Sequence, residues 1–307
     1  MPRVRSNHTE VVGILCSDIH LSLKPPISRA GEPDWFKAMA RPLREITELA
    51  SSREYACPIL CAGDIFDKWN SPPELINFAI ANLPKMYAVP GQHDLPLHNY
   101  QDIHKSAYWT LVEAGVIENL DPEELPLNAG FYIYPFPWGH PITPPSSEDE
   151  MKVAVVHQYI WMDKATSYPG APEENKLTEG PVNMGGYDVM IFGDNHKGFL
   201  TQKGNCTVLN CGGFMRRNAD QIDYKPHVGL LLSDGSVKLH YLDISEDIIE
   251  AKGPIIDIGE DMELQEFMSE LMSLEESTLN FEEAMEQTLK KIKPNKAVKN
   301  LILEAMG

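Results

Sequence analysis

The chain has 307 residues, and 43% hydrophobic with 23% charged content is the composition of a folded globular protein rather than a disordered one. A formal net charge of −19 argues against nonspecific binding of nucleic acid through a basic surface, so any phosphate-bearing substrate must meet local cations. No apolar run approaches the roughly 20 residues that cross a bilayer, and the run Val11 to Cys16 is too short for a secretory signal, so a soluble cytoplasmic protein is expected.

In chain order, the first predicted strand is VVGILCSD (11–18). A helix follows Pro33-Asp34, with Phe36, Met39, Leu43, Ile46 and Ala50 at helical spacing and Asp34 available as N-cap. Strand CPILCAGD (57–64), a helix from Glu74 to Ala81 after Pro73, strand KMYAVPG (85–91) and a helix from His104 to Ala114 come next. Strands GFYIYPF (130–136), KVAVVHQ (152–158), YDVMIFGD (187–194) and CTVLNCG (206–212) lead to a hairpin in which VGLLLS and SVKLHYL flank the turn Asp234-Gly235. Beyond about residue 245 the chain turns acidic and helical. Leu264, Phe267, Met268 and Leu271 repeat in one segment there, and NFEEAMEQTLKKI forms a second. The division expected is a catalytic domain over 1–245 and a helical appendage over 246–307. Pro137 to Glu150 and Tyr168 to Gly186 are loop-like insertions.

Five cysteines, Cys16, Cys57, Cys61, Cys206 and Cys211, lack CxxC spacing and favour a reducing compartment. A zinc site of Cys57, Cys61, Cys206 and Cys211 is conceivable, but buried thiols fit these strand-like segments better.

Metal-capable residues gather just after predicted strands, in Asp18-Ile19-His20, Gly63-Asp64-Ile65-Phe66-Asp67, Gly91-Gln92-His93-Asp94, Val156-His157-Gln158 and Gly193-Asp194-Asn195-His196. Any one of these is a common turn or a structural histidine. All five in succession are not, because open sheets gather ligands at the carboxyl ends of their strands. Two close divalent ions need a bridging carboxylate, which Asp64 can supply, and imidazoles suit manganese, iron or zinc better than calcium.

The sequence resembles the calcineurin-like metallophosphoesterases, whose motifs are DxH, GDxxD, GNHD, a separate His after a strand, and GHxH. The match spans about residues 11 to 244. GDIFD, GQHDLPLHN, KSAYWTLVEAGVI and MRRNADQID are further similar to the SbcD-type exonucleases and their viral relatives, the DNA-repair branch of that superfamily. The resemblance implies a four-layer α/β sandwich of two mixed sheets with helices outside. It implies one metal on Asp18, His20, Asp64 and His196 and a second on Asp64, Gln92, His157 and Asp194. His93 then stands as general acid, with Asp67 and Asp94 orienting imidazoles. Two departures stand out: Gln92 replaces the family's Asn, and Asp194 replaces the first His of GHxH. The added carboxylate hardens the second site and favours manganese or magnesium over zinc.

Arg216 and Arg217, after Gly212-Gly213, are candidates to grip a substrate phosphate, or else surface charges in an acidic protein. The cluster Lys290, Lys291, Lys293, Lys296 and Lys299 is a further local source of positive charge. Tyr132, Tyr134, Phe136 and Trp138 alternate as one face of a strand would, with base stacking by Trp138 as the sharper alternative to core packing. His98, His104, His140, His227 and His240 are expected to be structural or exposed.

The expected activity is a two-metal phosphodiesterase, a manganese-dependent DNA nuclease of the SbcD kind, with Mg2+, Fe2+ or Zn2+ as other candidate ions. An SbcC-like ATPase partner and a homodimer are open expectations, and no membrane partner is expected. The alternatives are an enzyme for nucleotides or other small phosphate esters, which suits the acidic surface, and a scaffold that keeps only the fold.

Overall fold

The computed structural model describes residues 9–52, 57–122, 127–128, 130–145, 151–168, 170–177 and 185–250. The predicted appendage helices and the late lysine cluster lie outside them, as do parts of both loop insertions. One compact unit comprises residues 1–167 and 171–250, and a second comprises residues 168–170 and 251–307.

Twelve strands are described: β1 Val11–Cys16, β2 Ile59–Cys61, β3 Met86–Ala88, β4 Ile117–Asn119, β5 Leu127–Asn128, β6 Tyr132–Phe136, β7 Lys152–His157, β8 Val189–Gly193, β9 Phe199–Lys203, β10 Cys206–Asn210, β11 His227–Leu232 and β12 Val237–Tyr241. They form two mixed six-stranded sheets, ordered β12-β11-β1-β2-β3-β4 and β5-β6-β7-β8-β10-β9. Within the first, β1 through β4 run parallel; within the second, β6, β7, β8 and β10 do.

Alternation along the strands builds the layers. Ile14 and Cys16 of β1, with Ile59 and Cys61 of β2, face the helices, while Leu15 and Leu60 face the other sheet. Val153 and Val155 of β7 and Val189 and Ile191 of β8 meet them from the far side. Ala154, Val156, Met190 and Phe192 point outward instead, to a third cluster with Ile160 and Leu177. These central strands therefore read as continuous apolar runs because both faces are buried.

The helices described are α1 Trp35–Ser51, α2 Pro73–Asn82 and α3 Ala107–Glu113. Asp34 caps α1 by accepting from Lys37 N at 3.1 Å, as its position predicts. The third predicted helix is shorter than its pattern, since residues Tyr100–Lys105 form 3-10 turns and Ser106 then caps α3 through Trp109 N. All three helices contribute to the cluster on the outer face of the first sheet. The second sheet's outer face is covered, among the described residues, by the segment after β7 that carries Ile160 and Leu177. Strands β4, β5 and β9 are not apparent in the sequence: β4 is a short polar edge, β5 has two residues, and β9 reads FLTQK with little apolar content.

The cysteines rule out a four-thiol zinc site. Cys61 packs toward the helices, Cys211 between the sheets and Cys206 on the outer face of the second sheet, and all five are free. No described helix is long and apolar enough to cross a membrane.

Candidate metal centre

Strands β1, β2 and β3 of one sheet and β7 and β8 of the other deliver the five motifs to one place from their carboxyl ends. The loops after β1 and β2 run side by side, with Asp18 N donating to Gly63 O at 2.9 Å and His20 N to Asp64 O at 3.0 Å. Asp18, His20, Asp64 and Asp194 all have positive φ, between 48° and 85°. That backbone is unusual outside glycine and tolerated best by Asp and Asn, so the chain holds local strain to aim these side chains inward.

Two glycines permit the close packing. Gly63 has φ +96°, and a Cβ there would run into the His157 ring; a Cβ on Gly91 would strike the Asp64 carboxylate.

Two lobes meet at Asp64. In one, His20 Nε2 and His196 Nε2 lie 3.0 Å apart, 3.9 and 3.7 Å from Asp18 Oδ1, and His20 Nε2 is 3.7 Å from Asp64 Oδ2. In the other, Asp64 Oδ2 is 3.4 Å from His157 Nε2, Gln92 Oε1 is 2.6 Å from the same nitrogen, and Gln92 Nε2 donates to Asp194 Oδ1 at 2.7 Å. The two departures from the family pattern thus touch each other, a relation that no local reading of the sequence exposes.

The electrostatics are those of a site short of positive charge. Burial pushes Asp18 up to about 7, with His157 opposing and Asp64 adding to the rise. Burial also raises Asp194, against the pull of His157. Asp64 resists: burial favours its neutral form, but His157, His93 and His20 hold it well below the usual carboxylate range. Burial lowers His20, and lowers His196 to about 4 with Arg217 adding to the effect, so both are neutral donors near neutral pH.

A pair of divalent cations fits these residues. Asp64 Oδ2 and Asp194 Oδ2 are buried without a hydrogen-bond partner, Asp64 Oδ2 facing only the His157 and His20 imidazoles at 3.4 and 3.7 Å, and a bound cation would satisfy both oxygens. Donor atoms of Asp18, His20 and His196, of His20, Asp64 and His93, and of Asp18, Asp64 and His157 each lie within 4.8 Å of one another. Imidazole mixed with carboxylate and amide oxygen is a donor set for a first-row divalent metal.

The neighbouring residues differ in how they match expectation. His93 Nδ1 pairs with Asp67 O at 2.9 Å, which leaves Nε2 for another partner, and its ring lies 5.0 Å from that of His20. Burial disfavours its charge, yet the Asp64 carboxylate outweighs burial and raises its pKa. Asp67 touches two imidazoles, through that carbonyl and through Oδ1 at 3.6 Å from His20 Nδ1. Asp94 is buried and accepts from Ile65 N, Phe66 N and Gly91 N at 3.0 to 3.2 Å, so it clamps two of these loops together.

Arg216 and Arg217, the candidates for a phosphate grip, have partners within the protein. Arg216 Nε donates to Asp247 Oδ2 at 3.1 Å, and its NH1 to Ile222 O. Arg217 donates to Asp67 Oδ1 at 2.9 Å and to His20 O. Both are buried, and carboxylates distant in sequence have claimed them. Asp247 also binds Arg29, which is buried and donates to Arg216 O at 2.7 Å.

Sequence reasoning missed three supports. Ser17 Oγ donates to Asp18 Oδ2. Asn195 Nδ2 ties Ile160 O and Thr166 O, each at 2.7 Å, to the turn that carries Asp194 and His196. Arg29 had no local signal beyond its type. Of the histidines set aside, His227 is buried and His240 pairs with Glu45, whereas His98 and His140 stand near the centre through contacts with Trp138.

A two-sheet α/β sandwich with paired donor lobes at the strand ends defines a metal-dependent phosphoesterase architecture. The model of the calcineurin-like phosphoesterase family matches residues 14–198, more than half of the chain, and the chain belongs to that family. No curated protein matches the sequence. Among solved structures, an archaeal phosphodiesterase aligns at 14% identity and TM-score 0.39, covering 75% of this chain and 99% of that one. The phosphopantetheinyl hydrolase of Mycobacterium tuberculosis aligns at 14% and 0.42, with coverage of 76% and 97%. A putative 5'-nucleotidase of Staphylococcus aureus aligns at 14% and 0.45, covering 83% of this chain and 57% of that one.

Proposed function

We propose that the protein is a two-metal phosphodiesterase of the SbcD kind, with manganese as its ion and DNA as its substrate. The observation that carries the two-metal part of this reading is the buried Asp64 carboxylate, one oxygen of which faces both His20 and His157 and has no hydrogen-bond partner. Asp18, His20, Asp64 and His196 would hold one ion, and Asp64, Gln92, His157 and Asp194 the other. Such ions supply Lewis acidity at the phosphoryl oxygens and a water acidic enough to attack at neutral pH.

The chain's own groups do the rest. His93 is held through Nδ1 by the Asp67 carbonyl, which presents Nε2 for proton delivery to the leaving oxygen. Its raised pKa keeps that proton available near neutrality. Arg217 fixes the His20 carbonyl and the Asp67 carboxylate together and so holds the two imidazoles in register.

Diester over monoester specificity has a physical basis. Both candidate guanidinium groups are already committed to carboxylates and carbonyls, so a doubly charged monoester would meet little additional positive charge at the centre. A singly charged diester asks for less. The net charge of −19 favours the competing small-ester reading, because long DNA would be repelled away from the metals.

Purified protein with manganese on single-stranded DNA, duplex DNA, bis(p-nitrophenyl) phosphate and the monoester p-nitrophenyl phosphate decides. Metal-dependent cleavage of DNA is expected. Turnover of a phosphomonoester with none of any diester would overturn the proposal.

A further inference from the structure

Trp138 was singled out by its period-two spacing, but it does not continue the face it predicts. Strand β6 ends at Phe136, and Tyr134 and Phe136 enter the outer cluster of the second sheet. Trp138 turns away and packs at the margin of the cluster on the helix side of the first sheet, while its backbone N–H donates to Pro90 O at 3.2 Å. This places the partly exposed indole beside the metal centre. Its ring meets that of His157 edge-on at 6.3 Å and 66°, and that of His98 edge-on at 6.4 Å and 81°.

The surroundings are aromatic and open. His98 is exposed, and its neighbour Leu97, just beyond the Gly91-Gln92-His93-Asp94 turn, is 89% exposed. Both adopt positive φ, 50° for Leu97 and 58° for His98. His140 Nδ1 approaches Trp138 O at 3.3 Å, and the His140 ring meets Tyr100 edge-on at 4.8 Å. Burial lowers the His98 pKa, with His93 adding to the effect, so its ring is neutral near neutral pH. Trp138 is thus partly packed and partly open, and the exposed Leu97 and His98 with the rings of Tyr100 and His140 line the rim beside the metal centre.

We propose that Trp138, with His98 edge-on beside it, forms a stacking subsite for a nucleobase carried by the substituent of the scissile phosphodiester. A phosphate at the metals leaves its esterified sugar and base to lie along the rim, and flat rings there can stack with any base without reading its identity. The subsite rests on the phosphodiesterase function proposed above and narrows its substrate to nucleotide diesters. The base can come from an unpaired position in a DNA strand or from a small nucleotide diester.

The test compares thymidine 5'-(p-nitrophenyl phosphate) with methyl p-nitrophenyl phosphate, which have the same leaving group and differ in the base-bearing nucleoside. The wild type should prefer the thymidine ester in kcat/KM. Trp138→Ala should cut that preference about tenfold, chiefly through KM, the factor expected for one base–aromatic stack. Trp138→Phe should keep part of it, and His98→Ala should lower it less; these two serve if the alanine variant at Trp138 does not fold. Calorimetric binding of thymidine 5'-(methyl phosphate) against dimethyl phosphate reads the same contrast without turnover. A single-stranded oligonucleotide separates the sources: slower digestion by Trp138→Ala assigns the base to a DNA strand, and an effect confined to the small ester assigns it to a nucleotide diester. No preference in the wild type, or a preference that survives Trp138→Phe and His98→Ala intact, overturns the subsite. Absence of manganese-dependent hydrolysis of both esters would instead count against the phosphodiesterase, and the binding contrast would still judge the subsite.

Discussion

Gln92 Nε2 donates to Asp194 Oδ1 at 2.7 Å, while Gln92 Oε1 lies 2.6 Å from His157 Nε2. The glutamine side chain therefore spans the second lobe, from imidazole to carboxylate. Its extra methylene, relative to asparagine, supplies the reach. Asp194 keeps its other oxygen buried and unpartnered. If that oxygen serves a metal, Asp194→Ala should lower bound manganese from two ions per chain to one. Asp194→His should restore binding with a shift toward softer ions such as zinc. Titration calorimetry reads both, and two ions in the alanine variant would show that Asp194 is only a turn residue.

His93→Ala should lower kcat on DNA by about 10²- to 10⁴-fold, the usual contribution of a general acid, with metal content close to wild type. The loss should shrink on an activated aryl diester, whose leaving group needs no proton. Because the His93 pKa is raised, the acid form persists above the ordinary imidazole range, and wild-type activity should fall as pH rises through the raised value. The variant should lack that alkaline limb. Equal losses on both substrates would argue against proton delivery.

Metal binding should depend on pH through Asp18. Burial raises this carboxyl to about 7 in the metal-free protein, so an ion must displace its proton at lower pH. A raised carboxyl contributes stability that is full below the unfolded value of roughly 3.9 and is lost as pH climbs through about 7. Metal-free protein should accordingly lose stability from Asp18 across this window, and added manganese should offset the loss. The gap between melting temperatures with manganese and with chelator should widen between pH 5 and about 7.5. A gap independent of pH would remove Asp18 from the metal site.

Asp94→Asn tests the clamp between loops. The carboxylate accepts from Ile65, Phe66 and Gly91 amides, and an asparagine NH2 would face at least one of those donors. A destabilisation of about 1–3 kcal/mol is expected from one buried donor left unsatisfied. Denaturant midpoints in chelator isolate the effect on folding from the effect on metal. A variant as stable as wild type would mean that the loops are held elsewhere.

Local chemistry determined much of this protein on its own. Apolar runs buried on both faces marked the central strands β1, β2, β7, β8 and β10, Asp34 announced the start of α1, and the motifs at strand ends named residues from Asp18 to His196 that the fold brings to one place. These signals are legible because strand period, helix capping and turn chemistry are properties of a few adjacent residues. Tertiary structure alone decided which partner each charged or aromatic side chain would find. Arg216 met Asp247, 31 positions away, Arg217 met Asp67, 150 away, and Gln92 met Asp194, 102 away. Trp138 left the strand pattern to stand beside His157. Such pairings depend on how two sheets stack and where their loops converge, and the spacing of residues along one strand carries no record of that.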